Sequence, residues 1–86
     1  MLTQMDKYIE IKKLSNPERA FQRLENEFID IMYPDHFSNG SLIMLVDVGI
    51  DPNKTEHIVW LKELLDKVLP EIGEADYFLT PYTPEN

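Results

Sequence analysis

The chain contains no cysteine, which removes disulfide frameworks, thiol nucleophiles and cysteine-ligated metals together. Its three glycines are dispersed, and neither a GxGxxG nor a GxxxxGK[ST] pattern occurs, so nucleotide binding has no motif to rest on. No apolar run approaches the roughly 20 residues needed to cross a bilayer. The opening MLTQMDKYIE lacks the long apolar stretch of a secretion signal. A cytoplasmic setting away from membranes is therefore expected.

Positive charge is also scarce. Eight lysines and arginines stand against sixteen acids, for a formal net charge of −8. Nucleic-acid binding draws most of its affinity from basic side chains that displace counterions, so direct nucleic-acid binding is not expected. The imbalance is uneven: residues 1–23 hold five bases against three acids, and the remaining chain holds three bases against thirteen acids. Solubility, or a basic protein partner, accounts for such an excess.

What is present reads as one small domain over residues 1–86, with an N-terminal arm at 1–6 and an extended tail at 81–86. A domain of this size buries only somewhat more than about 60% of its unfolded surface, so self-association as a homodimer enters the expectations. KYIEIKKL, residues 7–14, alternates apolar and polar positions and reads as an edge strand. SNPERAFQRLENEFIDIMYP follows, with Ser15 or Asn16 as a helix cap and Pro17 in the first turn. Phe21, Leu24, Phe28 and Ile31 carry an apolar stripe toward a helix end near Tyr33. DHFSNGS is a turn cluster, strongest at Asn39-Gly40.

SLIMLVDV is apolar on both faces and reads as the central strand of a parallel sheet. From Asn53, the positions Ile58, Leu61, Leu65, Val68 and Ile72 recur at helical spacing up to a stop at Gly73. ADYFLT, residues 75–80, forms a short third strand. The expected fold class is thus α/β: a β-α-β-α-β unit with a three-stranded, mostly parallel sheet and both helices on one face. The bare face would then need a second copy, or cover from Met1, Leu2, Met5 and the tail.

Two regions carry candidate chemistry. At the carboxyl end of the central strand, Asp47, Gly49 and Asp51 occupy the place where open α/β sheets gather ligands, and His57 follows in the next helix. Asp47, Asp51 and His57 together make a candidate ligand or divalent-metal site. Ordinary capping by Asp51 or Asn53, with Gly49 supplying a positive-φ turn, explains most of this stretch without a ligand. Asp47 is the residue that capping leaves over. Neither Ser38 nor Ser41 lies in a nucleophile-elbow motif, and His36 reads as a solvated turn residue. No cofactor is implied.

The second region is electrostatic. Both expected helices end in acids, against the preference of a helix C-terminus for positive charge. A parallel unit would gather Glu27, Asp30, Asp35, Glu71, Glu74 and Asp76 at the edge opposite the Asp47 loop. Trp60, off the centre of its stripe, is a candidate hot spot. These features lead to the expectation of a non-enzymatic interaction module. It would inhibit or regulate a basic protein, such as one that itself grips nucleic acid, by docking on the acidic edge.

Overall fold

Asn39 and Gly40 adopt φ of 50° and 82°, and this pair of left-handed residues closes a two-residue β-hairpin. A turn this tight can only return the chain antiparallel to itself. The computed structural model describes residues 6–84. Its elements are β1 (Lys7–Lys12), α1 (Pro17–Leu24), β2 (Met32–Ser38), β3 (Ser41–Val46), α2 (Thr55–Leu65), a 3-10 turn (Leu69–Ile72) and β4 (Phe78–Tyr82). The sheet order is β2-β3-β1-β4, and every neighbouring pair is antiparallel.

The chain is therefore an α+β protein with a four-stranded antiparallel sheet, not a three-stranded parallel β-α-β-α-β unit. The strand overlooked by periodicity is β2. Its sequence MYPDHFS contains a proline and turn-forming residues, and the apolar spacing of Phe28 and Ile31 extends the helical pattern almost up to it. In the structure α1 stops at Leu24, and Phe28 and Ile31 reach the core from turns, with the N–H groups of Ile31 and Met32 both donating to the Phe28 carbonyl at 2.8 Å. Pro34 is tolerated because β2 is an edge strand, and the pairing is irregular between Pro34 and His36. On the opposite edge β4 carries Pro81.

A second correction concerns β1, which is interior rather than an edge. Its alternation records a sheet covered on one face: Ile9 and Ile11 are fully buried, while Tyr8, Glu10 and Lys12 on the other face are half-buried. Ile9 and Ile11 join Leu42, Met44 and Val46 of β3, Ala20 and Leu24 of α1, and Leu61 and Leu65 of α2 in one core. Both helices thus share a face of the sheet. On the reverse face Ile43 is also fully buried, yet lies outside that core. His36 stands opposite it on β2, and the Tyr82 ring reaches within 6.1 Å of the His36 ring on this side of the molecule. Met1, Leu2 and Met5, expected as cover for this face, lie outside the described residues.

Helix starts and stops follow local chemistry. Asn16 caps α1 by accepting the Arg19 N–H at 3.1 Å, with Pro17 in the first turn. α2 ends at Leu65 because Pro70 cannot continue a helix, and the remainder tightens into the 3-10 turn. Gly73 stops that turn in the left-handed region, at φ 88°.

Directly after it, Glu74 turns inward and is 1% exposed. Its two carboxylate oxygens accept the backbone N–H groups of Ser15 and Asn16 at 2.7 and 2.8 Å. These are unsatisfied donors at the positive end of α1, so the charge is both paired and placed on the favourable pole. Replacing Glu74 with alanine should lower unfolding free energy by about 3 kcal/mol, and Glu74→Gln by about 2 kcal/mol, since charge-assisted bonds at buried donors are lost. Chemical denaturation of these variants checks this, with the exposed Asp76→Asn as a control that should change by less than about 0.5 kcal/mol.

Candidate functional site

Pairing of β2 with β3 decides what stands beside the Asp47 loop. Met32 lies opposite Val46, and one step further the Asp47 N–H donates to the Ile31 carbonyl at 2.8 Å. The end of the α1–β2 connection, Asp30 and Ile31, is thereby fixed against the start of the β3–α2 loop. α2 rises from the same loop and turns His57 and Trp60 toward it. The result is a groove of about 320 Å³ with Asp30 and Asp47 at its rim, Ile31 and Ile50 in its wall, and His57 and Trp60 on the helix side.

A shallower groove of about 180 Å³ adjoins it and shares Asp30, Ile31 and Asp47. Ile29, Tyr33, Leu45 and Val48 line this second groove, with Asp6 beside them. Ile29, Tyr33, Val48 and Trp60 are 61%, 42%, 54% and 43% exposed. These large apolar groups open to water therefore line the same two grooves as the carboxylates of Asp30 and Asp47. Among the described residues neither groove is lined by a lysine or arginine.

The loop itself is built from side-chain-capped turns. Asp47 is exposed, and its Oδ2 accepts the Gly49 N–H at 3.0 Å while its carbonyl accepts the Ile50 N–H at 2.9 Å. An aspartate that bonds the backbone two residues on is a turn former, so Asp47 has a structural task that its place after an apolar strand conceals. Gly49 does not take a positive φ, contrary to expectation. Its role is room: a Cβ there would stand 3.3 Å from the Asp47 carboxylate.

Asp51 repeats the device by accepting the Asn53 N–H on Oδ1 at 2.9 Å. The Asp51 N–H in turn donates to Nδ1 of His57 at 2.8 Å, which leaves the neutral imidazole proton on Nε2. Neither Asp51 nor Asn53 is the α2 cap. That position falls to Lys54, without a side-chain bond.

Asp47, Asp51 and His57 are therefore each tied to the loop backbone. Among the described residues no group of three histidine, cysteine or acidic side chains is placed to hold a metal ion.

The six acids expected to share an edge are dispersed, because the helices do not run as a parallel unit would place them. Glu74 is buried at the start of α1. Glu27 and Glu71 do come together, at 2.6 and 3.2 Å from the Arg23 guanidinium, which they hold more firmly protonated. Asp35 lies 2.6 Å from Nδ1 of His36, and Asp76 is exposed. Asp30 alone moves to the Asp47 groove. Tyr33, Ile29 and Val48 were not singled out by sequence reasoning. Tyr33 lies on β2, a strand concealed once the segment is read as helix, while Ile29 and Val48 lie in the connections before β2 and after β3.

Away from the groove, Lys62 and Tyr77 converge on Asp66. Lys62 Nζ lies 2.9 Å from Asp66 and 4.5 Å from the centre of the Tyr77 ring, and the buried Tyr77 hydroxyl donates to the same carboxylate. The Tyr77 bond and then Lys62 hold Asp66 below the usual carboxylate range, while burial and the Asp66 bond push Tyr77 well above the usual phenol range.

The signs are opposite. The depressed Asp66 contributes stability above its unfolded pKa, lost as pH falls through the folded value. The raised Tyr77 contributes stability below its unfolded pKa of about 10, lost as pH rises further. Tyr77→Phe should lower stability by about 1 kcal/mol at neutral pH, flatten the alkaline loss and move Asp66 up toward its ordinary range, as read by denaturation against pH and carboxyl NMR.

In the loop, Asp47→Asn keeps an oxygen for the Gly49 N–H and should unfold with nearly wild-type stability. Asp47→Ala should lower it by about 1 kcal/mol and speed amide exchange at Gly49 and Ile50. Comparison with known proteins finds no matching family model, no matching curated protein and no matching solved structure.

Proposed function

We propose that this chain is a non-enzymatic interaction module that binds a basic protein and inhibits or regulates it, making contact at the Asp30–Asp47 groove. The observation that carries this reading is the groove's composition. Two carboxylates, a half-exposed indole and the apolar Ile31 and Ile50 line it together, with no basic side chain in the lining among the described residues. Desolvated cations are favoured beside carboxylates and aromatic faces, and tryptophan is enriched where binding energy concentrates. The net charge of −8 would add long-range attraction for a basic partner and speed its encounter.

Catalysis and metal binding have less in their favour. His57 already uses Nδ1 to accept the Asp51 N–H, and the carboxylates of Asp47 and Asp51 each hold a backbone N–H. Self-association through the reverse face of the sheet is also less supported, since Ile43 on that face is already fully buried within the chain. Among the described residues no helix is long and apolar enough to cross a membrane. A cytoplasmic partner fits this reading best.

The test is capture of proteins from the native host on immobilised wild-type chain and on the double variant Asp30→Asn, Asp47→Asn. A basic protein should be retained by the wild type, released by salt, and retained about tenfold less by the double variant. A control variant, Asp35→Asn with Asp76→Asn, should capture as the wild type does. Equal capture by all three would overturn the assignment of the contact to this groove.

A further inference from the structure

The two adjoining grooves present different chemistry on either side of one ridge. On the α2 side Asp30 and Asp47 line one groove together with Trp60, which is 43% exposed. On the sheet side the same ridge borders an apolar shelf of Ile29, Tyr33, Leu45 and Val48. We propose, resting on the reading of a basic partner above, that the occupant is a short protein segment in which an arginine is followed by an apolar residue. The guanidinium lies against Trp60 between Asp30 and Asp47, and the apolar side chain settles on the Ile29–Val48 shelf.

Charge complementarity commits the first position to a cation. Asp6, Asp30 and Asp47 line the two grooves with no lysine or arginine to answer them, and Asp30 makes no ion pair among the described residues. Asp47 is exposed and uses only Oδ2 for the loop, so Oδ1 carries no hydrogen bond among the described residues. The cation is arginine rather than lysine on geometric grounds. A planar guanidinium can stack on an indole while its edge N–H groups reach carboxylates, whereas an ammonium is a point charge with a tightly held water shell.

The second position is apolar because Ile29 and Val48 are 61% and 54% exposed, and a simple cation would leave that surface wet. A free arginine would therefore use half of the site. A nucleic acid is excluded by the sign of the charge on the ridge.

The experiment titrates the full chain with three amidated octapeptides: alternating arginine and leucine, alternating lysine and leucine, and alternating arginine and serine. Binding is read by Trp60 fluorescence and by backbone amide shifts. The arginine–leucine peptide should shift Val48, Gly49, Ile50 and Ile29 and perturb the indole. Replacing arginine by lysine, or leucine by serine, should each weaken binding about tenfold. Trp60→Phe, followed by amide shifts, should reduce the preference for arginine over lysine, and Val48→Ser should reduce the preference for leucine over serine. Trp60 and Val48 are both exposed, so both variants are expected to fold.

Equal affinity for the arginine and lysine peptides, or amide shifts centred on another surface, overturns the proposal. If host capture is lost in the Asp30, Asp47 double variant but the peptides do not discriminate, the specificity assigned here fails alone. If capture is unaffected, the reading beneath it fails.

Discussion

The Asn39-Gly40 hairpin is the constraint on which the rest of the molecule depends. Two consecutive left-handed residues make β2 and β3 antiparallel and set their register, Ser38 opposite Ser41 and Met32 opposite Val46. That register buries Leu42, Met44 and Val46 beneath the helices. It also brings the α1–β2 connection to the end of β3, so Asp30 and Asp47, seventeen positions apart in sequence, share one ridge. A slip of a single residue would reverse the faces of β2 and dismantle both the core and the groove.

Long-range order elsewhere comes from acids used inwardly. Glu74 ties the segment after the 3-10 turn to the start of α1, 58 residues earlier. Asp66 joins α2 to the residue preceding β4, and Asp47 and Asp51 shape the loop between β3 and α2. A strongly acidic composition therefore overstates how much negative charge is free for a partner. The acids left at a surface suited to binding are fewer, and they sit beside exposed apolar groups instead of on a purely charged edge.

Much of this architecture was legible in the residues. The alternation of β1, the Asn16-Pro17 start of α1, the Asn39-Gly40 turn and the apolar run of β3 all have short-range causes, and each stands where the pattern puts it, whereas the helical spacing that reaches Ile72 overruns α2, which ends at Leu65 and leaves Gly73 to stop the 3-10 turn. β2 escaped because an edge strand with a proline and an irregular pairing resembles a turn cluster. With β2 missing, a parallel crossover was the natural way to join the remaining strands, and the helix ends were placed accordingly. The groove was half visible: Asp47, His57 and Trp60 were singled out as separate candidates, and Asp30 as part of another surface. Only a tertiary pairing could bring them together. The burial of Glu74 had no local signal, since an acid after a glycine reads as solvent-facing.

The prolines of the two outer strands have a further consequence. Pro34 in β2 and Pro81 in β4 each remove a backbone donor from the sheet margin, and the pairing irregularity beside Pro34 bends that margin as well. A flat, unbroken margin would invite a strand from another chain to extend the sheet, the first step toward runaway stacking. Interrupted at both borders, this sheet is a poor template for that growth. Any contact at these borders then falls to side chains rather than to the ladder of the backbone.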